Sequence, residues 1–116
     1  MRGLIRVGLA AGAALVLAAP ASAQQNVRAT ADSMIDACSQ DFYDPRRDTC
    51  EWWLRGAVEG FQAMEHNKFC FPERWPTTEA VRLAFVDWAD RNPDGKDLLR
   101  TVALIATLAE NYPCTG

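Results

Sequence analysis

Residues 50–64 read CEWWLRGAVEGFQAM. Cys50, Leu54, Ala57, Val58, Phe61 and Met64 recur there at spacings of three and four, which puts them on one face of an α-helix. The pattern predicts a helix from about Thr49 to His66 or beyond. Working outward, three further segments show the same period. Val27, Ala31, Met34, Ile35 and Cys38 share a face upstream. Downstream, a helix opens at Thr77 or Thr78, good N-cap residues, with Glu79 favourable in its first turn. Its apolar face is Val81, Ala84, Phe85 and Trp88, and Asn92-Pro93 ends it. A fourth segment carries Leu98, Val102, Ile105, Ala106 and Ala109, with Asn111 and Pro113 as stops. No stretch alternates apolar and polar residues with β-branched enrichment, and Asp94-Gly95 is flanked by helical patterns instead of strands. The expected fold is all-α, a small domain of four helices.

The N-terminus reads differently. Arg2 and Arg6 precede the apolar run Val7 to Ala19, and Pro20 leads into Ala21-Ser22-Ala23, an A-x-A cleavage pattern. The run is shorter than the roughly 20 residues a bilayer span requires. Residues 1–23 therefore read as an export signal, and residues 24–116 as a single helical domain with no membrane contact after cleavage. The signal holds two of the 12 basic residues and none of the 15 acidic ones, leaving 10 against 15, a formal charge of −5. That balance argues against nucleic acid and anionic lipid as partners.

Four cysteines follow the signal: Cys38, Cys50, Cys70 and Cys114. An even count in a short exported chain reads as two disulfides, which a small core needs for stability. Three pairings are formally open. A continuous second helix would hold Cys50 and Cys70 roughly 25 Å apart, beyond disulfide reach, which removes Cys50–Cys70 with Cys38–Cys114. Of the remaining two, Cys38–Cys50 with Cys70–Cys114 is preferred, because Cys38–Cys50 closes a helix hairpin over the polar loop Ser39 to Thr49. Cys38–Cys70 with Cys50–Cys114 requires the first helix to end near the far end of the second.

No constellation for catalysis is visible. His66 is the sole histidine and sits in a polar stretch expected at a helix end; Asp41, Asp44 and Asp48 are interspersed with Arg46 and Arg47, as in a charged surface loop. The acidic residues lack the glycine and terminal glutamate of a calcium loop, and no C-x-x-C pair offers a zinc site. Neither metal nor cofactor is expected. The chain reads as a binder, not an enzyme.

Two features bear on binding. Gly56 and Gly60 lie four apart on the second helix, where each costs roughly 1 kcal/mol against alanine. They leave a shallow groove, read first as a site of close helix packing and second as a self-association or ligand groove. Trp52 and Trp53 point about 100° apart on a helix, so one lies at the rim with Phe42 and Tyr43 of the preceding loop. The loop either covers that ring or shares an aromatic contact patch with it.

The spacing from Cys50 through Gly56 and Gly60 to Phe69-Cys70-Phe71-Pro72, then Asn92-Pro93 and Tyr112-Pro113-Cys114, resembles the Rap/Tai family. These are periplasmic immunity proteins that protect bacteria against type VI secretion amidase toxins. The likeness runs from about Cys38 to Cys114, with one departure at Glu51-Trp52-Trp53, where the family more often has a glycine and a tyrosine after the cysteine. It implies an all-helical inhibitor in the Gram-negative periplasm that occupies the substrate cleft of a cognate peptidoglycan amidase. In such proteins a protruding inter-helix loop does the blocking, and dimers occur. The loop in that position here is Asn92, Pro93, Asp94, Gly95 and Lys96, flanked by Asp90 and Asp97; a plain helix-ending turn is the competing description of it. A periplasmic stress or chaperone-like helical protein with no toxin partner is the alternative function.

Overall fold

The computed structural model describes residues 29–115. Four α-helices appear among them: α1 (Ala31–Cys38), α2 (Pro45–Gln62), α3 (Thr78–Arg91) and α4 (Arg100–Asn111), with a 3-10 turn at Pro93–Asp97 before α4. Extended structure among these residues is limited to a single antiparallel bridge, Thr30 to Leu99. The proposed export signal and Val27 of the first apolar face lie outside the described residues.

α1 is short but central. It packs against the other three helices and against the 3-10 turn. Ala31, Met34, Ile35, Ala37 and Cys38 are its buried residues. The bridge fixes its entry: Ala31 N donates to the Leu98 carbonyl at 2.7 Å and Arg100 N to the Ala29 carbonyl at 2.9 Å.

The second helix starts and stops earlier than its apolar period suggests. The Asp44 carboxylate accepts a hydrogen bond from Arg46 N, and Pro45 occupies the first helical position, so the cap lies five residues before Thr49. The polar loop therefore shrinks to Ser39–Asp44. At the other end Ala63 closes the helix. Met64 is exposed, while Phe69 is buried against Phe61 and Phe71. Burying Phe69 and bringing Cys70 to the chain terminus require the chain to leave the helix axis. Cys70 N donates to the Tyr112 carbonyl at 2.8 Å.

α3 follows its reading closely. Thr77 Oγ1 accepts from Ala80 N at 3.0 Å, and Val81, Phe85, Trp88 and Ala89 are buried. α4 does not. Its buried residues are Ala103, Leu104, Thr107 and Leu108, whereas Leu98 and Val102 of the expected face are exposed and Ile105 is only half-buried. The segment TVALIATLA offers two neighbouring three-four series, Val102-Ile105-Ala106-Ala109 and Ala103-Leu104-Thr107-Leu108, and the second of them faces inward. Packing against α1 and α3 chose it.

Both preferred disulfides are present, Cys38–Cys50 and Cys70–Cys114. They differ in setting: Cys38 and Cys50 are fully buried, while Cys70 and Cys114 lie at the surface. Phe85, Leu54, Leu104, Leu108 and Val81 are the largest fully buried side chains. Each contributes about 1.5–3 kcal/mol of burial, a modest sum against the chain entropy of a domain this size, so the staples carry a substantial share of its stability.

Candidate interaction surfaces

Asn92–Lys96 forms a pinned connector. Gly95 N donates to the Asn92 carbonyl at 2.8 Å, Leu98 N to the Gly95 carbonyl at 3.1 Å, and Asn92 Nδ2 to the Trp88 carbonyl at 2.8 Å. Gly95 is buried beneath the Trp88 indole and supports the turn from inside. Pro93, Asp94 and Lys96, with neighbouring Asp97, are exposed. Of the five positions expected to meet a partner, these three face solvent, Asn92 is half-buried, and Gly95 does not reach the surface.

Gly56 and Gly60 do not receive a neighbouring helix among the described residues. Both are exposed, and a Cβ at either would meet nothing within 4 Å. The close-packing expectation is corrected accordingly: α1 and α3 pack on the other faces of α2. The glycines instead floor an open apolar groove of about 470 Å³, walled by Trp52, Trp53, Phe61 and Met64, with Thr101 of α4 at its edge. Trp53 leans inward on Phe85 with ring centroids 5.7 Å apart, and Trp52 is the rim residue at 70% exposure. The preceding loop does not cover Trp52. His66, expected at a helix end, lies instead beyond α2 and packs against Phe69 with the rings tilted and their centroids 4.5 Å apart.

The loop between α1 and α2 is held from four directions. The buried Cys38–Cys50 disulfide closes its base. Arg82 Nη1 of α3 donates to the Cys38 carbonyl at 2.8 Å, and Arg47 Nη1 donates to the Gln40 carbonyl at 3.1 Å. Both guanidiniums are tied to one carboxylate, Glu79, at 2.6 Å from Arg82 and 3.0 Å from Arg47. Cations placed at the end of α1 also meet the negative end of its dipole. Arg47 is buried; its Nε lies 3.4 Å from Glu51, an ion-pair distance without hydrogen-bond geometry. Finally, Arg46 spans Asp44, Asp36 and the Gln40 side chain.

These contacts polarise the carboxyls. The hydrogen-bonded Arg82 guanidinium holds the Glu79 carboxyl below its ordinary range, and its charge and that of Arg47 add to the effect. The side chain and then the backbone of Arg46 do the same to Asp44. No sequence motif announces the Arg47–Glu79–Arg82 clamp, whose members are 32 and 3 residues apart. The one signal was Arg47 itself, an arginine in register with Cys50 and Leu54 on the inward stripe of α2.

Among the described residues no three His, Cys, Asp or Glu side chains gather as a metal site, and no helix is long and apolar enough to cross a membrane. The sequence model of the Rap1a immunity proteins matches residues 30–114. That span begins at Thr30, bridged to Leu99, and ends at Cys114, stapled to Cys70, so it coincides with the folded domain.

The chain belongs to the Rap1a immunity protein family. Membership supports an immunity-protein role with a cognate toxin as partner. No curated protein and no solved structure matches the chain. The Rap1a domain therefore contains both staples, the clamped α1–α2 loop and the Trp88-supported turn. Its disulfides fit a secreted or periplasmic protein.

Proposed function

We propose that this protein is exported on residues 1–23 to the periplasm, where it binds and inhibits a type VI secretion peptidoglycan amidase by covering its substrate cleft. The observation that carries this reading is the family match across the whole folded domain. One further fact supports a binding role: the ordered loops are pinned by disulfide, cap and guanidinium contacts, which lowers the entropy lost on docking. The exposed positions of the Asn92–Lys96 turn, Pro93, Asp94 and Lys96, are the proposed contact with the amidase, and Asp90 and Asp97 extend it. A homodimer is compatible with the free Gly56–Gly60 groove.

Periplasmic co-expression with each type VI amidase effector of the same genome tests the reading. Restored growth and stoichiometric inhibition of peptidoglycan cleavage by one of them are expected; lysis with every effector, and no complex, overturns it. Exchanging charges as Asp94→Lys with Lys96→Glu then weakens the complex if the turn is the contact, and unchanged affinity removes the turn from the interface.

A chaperone-like role has one observation in its favour, the apolar surface left by Trp52, Met64, Leu99 and Val102. Such surface holds unfolded clients, so suppression of client aggregation by the purified protein, with no effector bound, decides for that role.

A further inference from the structure

The Asp41–Asp44 segment is a tight turn: Asp44 N donates to the Asp41 carbonyl at 3.0 Å, which puts Phe42 and Tyr43 at its two central positions. Both rings point to solvent, Phe42 at 66% and Tyr43 at 93% exposure, and they pack edge-to-face on each other at 5.3 Å. The Arg47 guanidinium lies 5.9 Å from the Phe42 ring centroid. The turn is thus ordered from beneath by the clamp described above, while its apolar tip meets water. Aromatic side chains on a pre-ordered backbone lose little entropy on docking, and they concentrate binding energy at interfaces.

The surroundings indicate the partner's chemistry. Asp36, Asp41 and Asp48 are exposed around the turn, and the one exposed guanidinium beside it, Arg46, is already shared between Asp36 and Asp44. Such a tip fits an apolar pocket rimmed by lysine or arginine. A second copy of a chain with a formal charge of −5 after loss of the signal is a poor match for that rim.

We infer that Phe42 and Tyr43 form a further contact with the toxin, inserting into an apolar pocket with a cationic rim. The inference rests on the toxin-binding reading above but not on the Asn92–Lys96 turn. The Asn92–Lys96 turn leads into Leu98, whose carbonyl bonds the start of α1, while the Asp41–Asp44 turn follows the other end of that helix, which is on the order of 12 Å long.

Titration of the purified mature protein against a purified type VI amidase effector of the same genome tests this. The double variant Phe42→Ala, Tyr43→Ala removes the Arg47–Phe42 contact but leaves the core and the hydrogen bonds of the clamp in place, so it should stay folded with at most a small drop in melting temperature. It should lose at least about 30-fold in affinity, the size of one hot spot. Asp41→Lys should slow association, and the wild-type association rate should fall as salt rises. A wild-type complex with unchanged affinity in the double variant overturns the tip contact and leaves the toxin reading standing. Absence of any wild-type complex overturns both. A double variant that changes only self-association in sedimentation assigns the tip to a copy of the chain and overturns the inference.

Discussion

Gly95 lies directly beneath the indole of Trp88. A Cβ on the glycine would stand 2.8 Å from Cζ3 of the indole and closer still to Cη2. Gly95 is required here for space, and Trp88 is buried with nowhere to retreat. Gly95→Ala should destabilise the domain by about 1–3 kcal/mol, the cost of overpacking a filled site. Urea midpoints measure it. In a Trp88→Phe background the same substitution should cost less, and equal losses in both backgrounds would show that the indole is not the obstacle.

The two staples should part in order of exposure. Mild thiol under native conditions should reduce Cys70–Cys114 first, leaving Cys38–Cys50 intact until the domain unfolds. Mass spectrometry after alkylation reports which pair opens. Replacing each pair by serine should cost about 3 kcal/mol for the shorter loop and about 4 for the longer.

Arg47→Met keeps the apolar stem but removes the charge that reaches the Gln40 carbonyl and Glu79. A loss of about 1–3 kcal/mol is expected for buried charge-assisted bonds. Faster amide exchange confined to residues 40–44 should accompany it. Exchange spread evenly over the domain, or unchanged, would mean that the guanidinium does not hold the turn.

The carboxyls of Glu79 and Asp44 both titrate lower in the folded protein than in the unfolded chain. The folded state therefore binds fewer protons in the acid range, and stability falls as pH drops. The contribution is at full strength above about pH 5, where the unfolded carboxyls are already ionised, and is lost as pH falls through the lowered folded values. Denaturation midpoints between pH 7 and pH 2.5 trace the loss. Glu79→Gln should flatten the slope below pH 5, and a slope unaltered by that change removes Glu79 as a source of the dependence.

Gly56→Ala and Gly60→Ala should each stabilise the isolated domain by about 0.5–1 kcal/mol, because an alanine Cβ meets no neighbour there and glycine loses more backbone entropy in a helix. Thermal melts of dilute protein provide the measurement. Destabilisation of the dilute monomer would place atoms over the groove.

Much of this fold was legible in the sequence, and where it failed is physically informative. α3 is capped by Thr77, and its buried Val81, Phe85 and Trp88 keep the three-four spacing, so its limits and face are readable from the sequence. α4 offers two neighbouring three-four series of apolar residues, and contacts with α1 and α3, distant in sequence, bury Leu104 and Leu108 ahead of Val102 and Ile105. α2 starts ahead of its apolar stripe because Asp44-Pro45, within a stretch whose charges resemble a surface loop, is also a helix-opening pair. The disulfide pairing holds although the second helix ends at Gln62, because residues 63–70 leave its axis and bring Cys70 to the chain terminus, where its N–H donates to the Tyr112 carbonyl. The glycine groove was seen as a feature but assigned to internal packing, and the clamp under the α1–α2 turn left only the inward register of Arg47 as a trace.

The pairing has a consequence for how the protein is made. Cys38 joins Cys50 and Cys70 joins Cys114, so each cysteine bonds the next one along the chain. A polypeptide threaded N-terminus first through a membrane presents its thiols in that same order. An oxidase that links thiols as they emerge would make both native bonds without error. Sequential oxidation of such a chain reaches the native pairing without a reshuffling step.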